Sequence, residues 1–101
     1  VSAFYIFDNR EVRDPAALET YKTAVAPTTE AYGGRYRALS GDIERSEGEW
    51  APNFLVVIEF PTLAQAKAWY SSPEYAPLKA LRMRAVRCDA ALVAGLDNQS
   101  A

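Results

Sequence analysis

Histidine is absent from the 101 residues, and cysteine occurs once, at Cys88. Without histidine there is no Ser-His-Asp or Cys-His nucleophilic system, and the commonest zinc ligand is missing. A lone cysteine excludes an internal disulfide, and with no histidine beside it a thiolate metal site has too few ligands. No apolar run approaches the roughly 20 residues that span a bilayer. Basic charge is not in excess: 11 Lys and Arg stand against 13 Asp and Glu, giving a net charge of −2. A phosphate backbone calls for a basic face, so nucleic acid is not an expected partner. Neither a GxxxxGKS/T nor a GxGxxG pattern occurs, so the usual cradles for nucleotide phosphates are missing. The opening residues, Val1-Ser2-Ala3-Phe4, carry no basic segment and no cleavable leader pattern. These readings predict a cytoplasmic protein without cofactor or metal, engaging neither membranes nor nucleic acid.

Half the residues are hydrophobic and 12% are aromatic, which supports one modest core in a chain of this length and not two. A single domain is expected over residues 1–101, ordered from about 2 to 96, with a frayed polar tail at 97–101. Ala3-Phe4-Tyr5-Ile6-Phe7 reads as a strand with both faces covered, ending at Asp8-Asn9. Asp14 suits a helix N-cap and Pro15 the first helical position; Leu18, Tyr21 and Val25 follow at helical spacing. Pro27 predicts a kink or restart, and Gly33-Gly34 the helix end. Arg35 to Leu39 alternates as a second strand. The stretch 40–53, with its acidic set Asp42, Glu44, Glu47 and Glu49, reads as a loop with a short strand extension. Phe54 to Phe60 is a near-continuous apolar strand of central character. Thr62 and Gln65 fit a capping box ahead of Leu63, Ala66, Trp69 and Tyr70. Ser72-Pro73-Glu74 starts a further helical piece carrying Leu78, Leu81 and Ala85, and Ala90 to Ala94 closes the pattern as a last strand. Strand, helix, strand, strand, split helix, strand is the α+β ferredoxin-like βαββαβ order, with a four-stranded antiparallel sheet.

Helices in that arrangement cover one face of the sheet. Val56, Ile58 and Phe60 can face them, which leaves Leu55, Val57 and Glu59 on the other side; both alternating sets of the first strand are apolar. Two such rows open to water would form an exposed apolar patch. A homodimer that packs two sheets face to face in a barrel-like core removes it.

Leu55-Val56-Val57-Ile58-Glu59-Phe60-Pro61-Thr62, followed by Trp69-Tyr70-Ser71-Ser72-Pro73-Glu74-Tyr75, resembles the signature of the domain of unknown function 1330 family. Ala31-Tyr32-Gly33-Gly34-Arg35-Tyr36 and Glu47-Gly48-Glu49-Trp50 also match its pattern. Ile43-Glu44-Arg45-Ser46 departs from it, since the family runs apolar just before the Glu-Gly-Glu-Trp element. The family is similar to the dimeric α+β barrel superfamily, and the resemblance implies a ferredoxin-like subunit and a two-sheet dimer. It supplies no catalytic residues.

Glu59 interrupts an apolar strand, and a carboxylate there needs a partner or a raised pKa. It reads either as a general base or ligand anchor, or as half of a structural ion pair with an arginine at the sheet end. Tyr5, Arg37, Trp50 and Glu59 are the candidate ligand-binding residues. Glu59, Arg37 and Tyr5 form the set an enzyme would use. Trp50, in the long loop, suits a cavity rim or a dimer clasp, whereas Trp69 reads as core. Cys88 reads as an inert thiol. Lys79, Arg82, Arg84 and Arg87 read as cations favoured at a helix C-terminus. Two functions stay open: a homodimer that binds a small organic molecule in a cavity by the sheet, or a cofactor-independent enzyme. The resemblance implies the second, because its superfamily includes monooxygenases and isomerases; the residues themselves offer Glu59 as its acid–base group.

Overall fold

A computed structural model describes residues 2–96; the polar tail at 97–101 lies outside the described residues. Asp14 caps the first helix by accepting from the Ala17 N–H at 3.1 Å, with Pro15 at the first helical position. This helix, α1 (Pro15–Ala31), joins β1 (Ala3–Val12) to β2 (Arg35–Ser40). β3 (Leu55–Phe60), α2 (Leu63–Tyr70), α3 (Ala76–Ala85) and β4 (Val86–Ala94) complete the βαββαβ order, with the second helix split. The sheet is antiparallel throughout in the order β2-β3-β1-β4, so β1 and β3 are central, as their apolar runs predict.

Several boundaries differ from the sequence reading. β1 runs on through polar residues to Val12 and β4 begins as early as Val86, because these two stretches pair with each other across an irregularity between Asn9 and Glu11. α1 passes through Pro27 without a break. Pro27 and Thr23 are both exposed, so the carbonyl that loses its donor faces water, which lowers the penalty. No strand forms among residues 41–54: the polar stretch Glu44-Arg45-Ser46 has no apolar row to offer a partner. The α1 end follows expectation, with Gly33 at φ +82° and the Gly34 N–H returning to Thr29 O at 3.0 Å. Gly34 is confined: a Cβ there would lie 2.5 Å from Thr29 Cγ2 and 2.8 Å from Phe60 Cε1. Thr62 caps α2 through the Gln65 N–H at 3.0 Å, and the Gln65 amide donates to Tyr32 O at 3.2 Å, tying the two helices together.

The core lies between the helices and one face of the sheet. Tyr5, Phe7, Ile58 and Phe60 project into it, around Trp69 and Tyr75, both of which are fully buried. The Trp69 and Tyr75 ring centroids are 4.2 Å apart, and Trp69 Nε1–H donates to Thr28 Oγ1 at 3.1 Å. Trp69, Tyr70 and Tyr75 thus pack against one another and do not line a pocket. The fold is only 16 Å thick along its shortest axis, room for one sheet and one helix layer. The other sheet face carries Phe4 and Ile6 of β1 opposite Glu59 and Val57 of β3, with Ala91 and the 44%-exposed Val93 of β4 beside them.

Candidate functional site

The sheet separates the residues singled out from sequence. Glu59 pairs across the ladder with Phe4, on the open face, while Tyr5 pairs with Ile58 and is buried among the core aromatics. Glu59, Arg37 and Tyr5 therefore do not form one cluster. Arg37 and Glu59 do meet: Arg37 Nε donates to Glu59 Oε1 at 2.8 Å, with the side chains 52% and 30% exposed. This is the geometry of the ion-pair reading.

Trp50 also lies at the open face. Its Nε1–H donates to Asp8 Oδ2 at 3.2 Å, and it borders a hollow of about 310 Å³ shared with Ile6, Asp89 and Ala91. Asp8 anchors the whole loop. It accepts from Arg10 Nη1 at 2.8 Å, from the Asn53 N–H at 3.0 Å and from the Phe54 N–H at 3.4 Å. Burial pushes the Asp8 carboxyl up, but these donors outweigh it and hold it below its ordinary value.

A cavity of about 380 Å³ lies on the helix side of the sheet. Its walls come from the patterned faces of three elements: Leu18 and Val25 of α1, Val56 and Ile58 of β3, and Phe7 of β1. The polar groups that reach it are not among the candidate ligand-binding residues read from the sequence. Arg82 lines it and is only 5% exposed, contrary to the expectation of a solvated helix-end cation. Two contacts draw it inward: the guanidinium lies 5.2 Å from the Phe7 ring centroid, and Nε donates to Tyr75 Oη at 3.3 Å. No carboxylate pairs with Arg82 among the described residues. The signal was present, since Leu78, Arg82 and Ala85 share one helical stripe.

Tyr75 Oη also lies 3.0 Å from Tyr21 Oη, which borders the cavity. Tyr75 Oη accepts from Arg82 and shares a hydrogen bond with Tyr21 in which either hydroxyl can be the donor. Tyr36, also at the cavity, has its hydroxyl 3.1 Å from Thr29 Oγ1, which lies 3.2 Å from Val25 O. Burial, reinforced by Tyr75, pushes the Tyr21 phenol far above its ordinary pKa, and burial raises that of Tyr36; both are neutral at physiological pH. Burial opposes the Arg82 charge, but Tyr75 and Tyr21 more than offset it and the group stays cationic. Asn9 Oδ1, on the β1 wall, is buried without a hydrogen-bond partner among the described residues. Cys88 is half-buried, and burial raises its thiol pKa. No helix among the described residues is long and apolar enough to cross a membrane.

A four-stranded antiparallel sheet backed by helices on one face, with an aromatic-walled cavity between the layers, places this chain in the ferredoxin-like α+β class. Solved structures share that architecture. A protein of unknown function from Rhodopseudomonas palustris matches with a TM-score of 0.73 at 17% identity, over 94% of this chain and 82% of its own. A dimeric ferredoxin-like protein of unknown function from Thermobifida fusca matches with a TM-score of 0.63 at 19% identity, over 93% and 91%. A candidate antibiotic biosynthesis monooxygenase from Nitrosomonas europaea matches with a TM-score of 0.53 at 16% identity, over 98% and 93%. At these identities the likeness is one of fold. No curated protein matches the sequence. The chain belongs to the domain of unknown function family DUF1330, whose model matches residues 2–96.

Proposed function

We propose that the protein is a homodimer that binds a small organic molecule in the cavity between α1 and the sheet. The cavity carries this reading: about 380 Å³ of space with an apolar lining and a few convergent polar groups is the usual form of a small-molecule site. The dimer rests on the open sheet face, where Phe4, Ile6, Val57 and Val93 form an apolar row that a second copy would cover. The dimeric state of the Thermobifida fusca protein of the same fold supports it. In this arrangement Trp50 and the Arg37–Glu59 pair border the subunit contact, which favours the clasp over the cavity rim for Trp50.

The likeness to the Nitrosomonas europaea protein supports a second reading, a cofactor-independent enzyme working in the same cavity. Glu59 is then a poor choice of acid–base group, because it faces away from the cavity, and Tyr21 is the hydroxyl in position.

Ala26 lines the cavity, so Ala26→Phe fills it. Titration with 2-naphthamide, a neutral fluorescent probe, should show saturable binding to the native protein and none to Ala26→Phe. Equal binding to both would falsify the cavity reading, as would failure of the native protein to bind either this amide or the matching acid, 2-naphthoate. The dimer is tested separately by light scattering: Ile6→Lys should yield monomers, and a native protein that is monomeric at micromolar concentration ends that part of the proposal.

A further inference from the structure

Arg82 is a buried cation without a carboxylate partner among the described residues, and the Tyr21 hydroxyl, 3.0 Å from Tyr75 Oη, borders the same cavity. We propose that the ligand is an organic monoanion, a carboxylate on a one- or two-ring or branched apolar body, bound through Arg82 and Tyr21. This rests on the cavity reading above and adds the charge class of the ligand.

Charge balance comes first. A buried guanidinium is normally matched by a carboxylate, because an unpaired buried charge is costly. Here the groups facing Arg82 are Tyr75, Tyr21, Cys88 and the Phe7 ring. Burial keeps Tyr21 and Cys88 neutral at physiological pH, Tyr75 meets the guanidinium only through its hydroxyl oxygen, and an aromatic face compensates a cation only in part. The other cation lining the cavity among the described residues, Lys22, is already paired with Glu19 at 3.2 Å. An anion entering the cavity completes the pair that the fold leaves open.

Donor direction comes second. Arg82 gives only its Nε–H to Tyr75, which leaves the terminal N–H groups of a fork suited to a carboxylate. Arg82, Tyr75 and Tyr21 are hydrogen-bonded in series, and the Tyr21 hydroxyl can turn its proton to a bound anion while accepting from Tyr75. Two donor groups in a low-dielectric wall favour an acceptor with full negative charge. The remaining lining is hydrocarbon and fits an apolar body. Asn9 Oδ1 stands on the β1 wall as an acceptor without a donor, and a hydroxyl or N–H on the ligand body would satisfy it.

The test compares 2-naphthoate with 2-naphthamide, which share shape and differ in charge. The native protein should bind the acid about ten- to a hundredfold more tightly, the span that charge-assisted hydrogen bonds in a dry site provide. Arg82→Met keeps a stem over Phe7 and should abolish that preference. Tyr21→Phe keeps the ring, should weaken the acid severalfold and should leave the amide unchanged; it decides the matter if Arg82→Met fails to fold by circular dichroism. Equal binding of acid and amide by the native protein overturns the charge class while the cavity reading stands. A preference that survives Arg82→Met assigns recognition elsewhere and overturns the proposal. Binding of neither probe overturns both readings together.

Discussion

Replacing Asp8 by asparagine tests what holds the 41–53 loop against the sheet. The carboxylate is 4% exposed and accepts four hydrogen bonds, two at each oxygen: Arg10 Nη1 and Trp50 Nε1 at Oδ2, and the Asn53 and Phe54 N–H groups at Oδ1. An asparagine has one oxygen and one NH₂, so whichever way the amide turns, one pair of donors faces another donor. Hydrogen bonds to a charged group contribute about 1.5–3 kcal/mol each, and the partial exposure of Arg10 discounts its share. Asp8→Asn should therefore cost about 2–3 kcal/mol at neutral pH. For a domain of this size that is roughly a 10–20 °C fall in Tm. The pH dependence has a definite sign. Asp8 has a depressed folded pKa, so its contribution is fully present above the unfolded carboxyl value of about 3.9 and is lost as pH falls through the folded one. The gap between native protein and variant should be complete at neutral pH and should close below about pH 4. Thermal melting at fixed protomer concentration, followed by circular dichroism and by Trp emission, reads both effects. A variant melting within about 1 °C of the native protein, or a gap unchanged in acid, refutes the clip.

Trp69 is fully buried, so Trp69→Ala should destabilise by about 3–5 kcal/mol in urea denaturation; a change under about 0.5 kcal/mol would place it outside the core. Glu59→Gln breaks a pair whose members are 52% and 30% exposed, so the loss should stay below about 1 kcal/mol, and a loss above about 2 kcal/mol would mark a buried pair. Gly34→Ala puts a methyl group 2.5 Å from Thr29 Cγ2 and should cost about 1–3 kcal/mol by overpacking; an unchanged denaturation midpoint would mean that the α1–β2 corner gives way freely.

Local chemistry was the legible part of the chain. Asp14-Pro15, Thr62 with Gln65, and Gly33 each announce a helix end through contacts no more than a few residues apart, and all three stand where expected. The central place of β3 was legible because both of its faces are apolar. The site was legible less well, since its polar groups depend on distant partners. Whether Tyr5 lies beside Glu59 or behind it is a matter of strand register, which a row of alternating apolar residues leaves open; β1 pairs Tyr5 with Ile58 and so sends the two to opposite faces. Arg82 stands among Lys79, Arg84 and Arg87, which read as helix-end cations, and turns inward because Phe7, some 75 residues earlier in the chain, supplies a ring. The stripe Leu78-Arg82-Ala85 marks it, but a cation at an apolar position is usually read as a side chain whose head reaches water.

The placement of β1 has a consequence for how the chain acquires its structure. The first strand lies between β3 and β4, so neither of its edges can be filled until much later residues are present. Its outermost pairing joins Ala3 to Ala94, a loop of about 90 residues whose closure entropy alone is about 4 kcal/mol. The helices, built on local contacts, can form earlier; the sheet cannot. Folding is therefore expected in the millisecond-to-second range of non-local topologies rather than at helical-bundle speed. Until β4 arrives, the aromatic row of β1 has an open edge available to any extended chain. Crowded nascent or refolding chains are most exposed to mispairing in that interval, and the strand at greatest risk is the one made first.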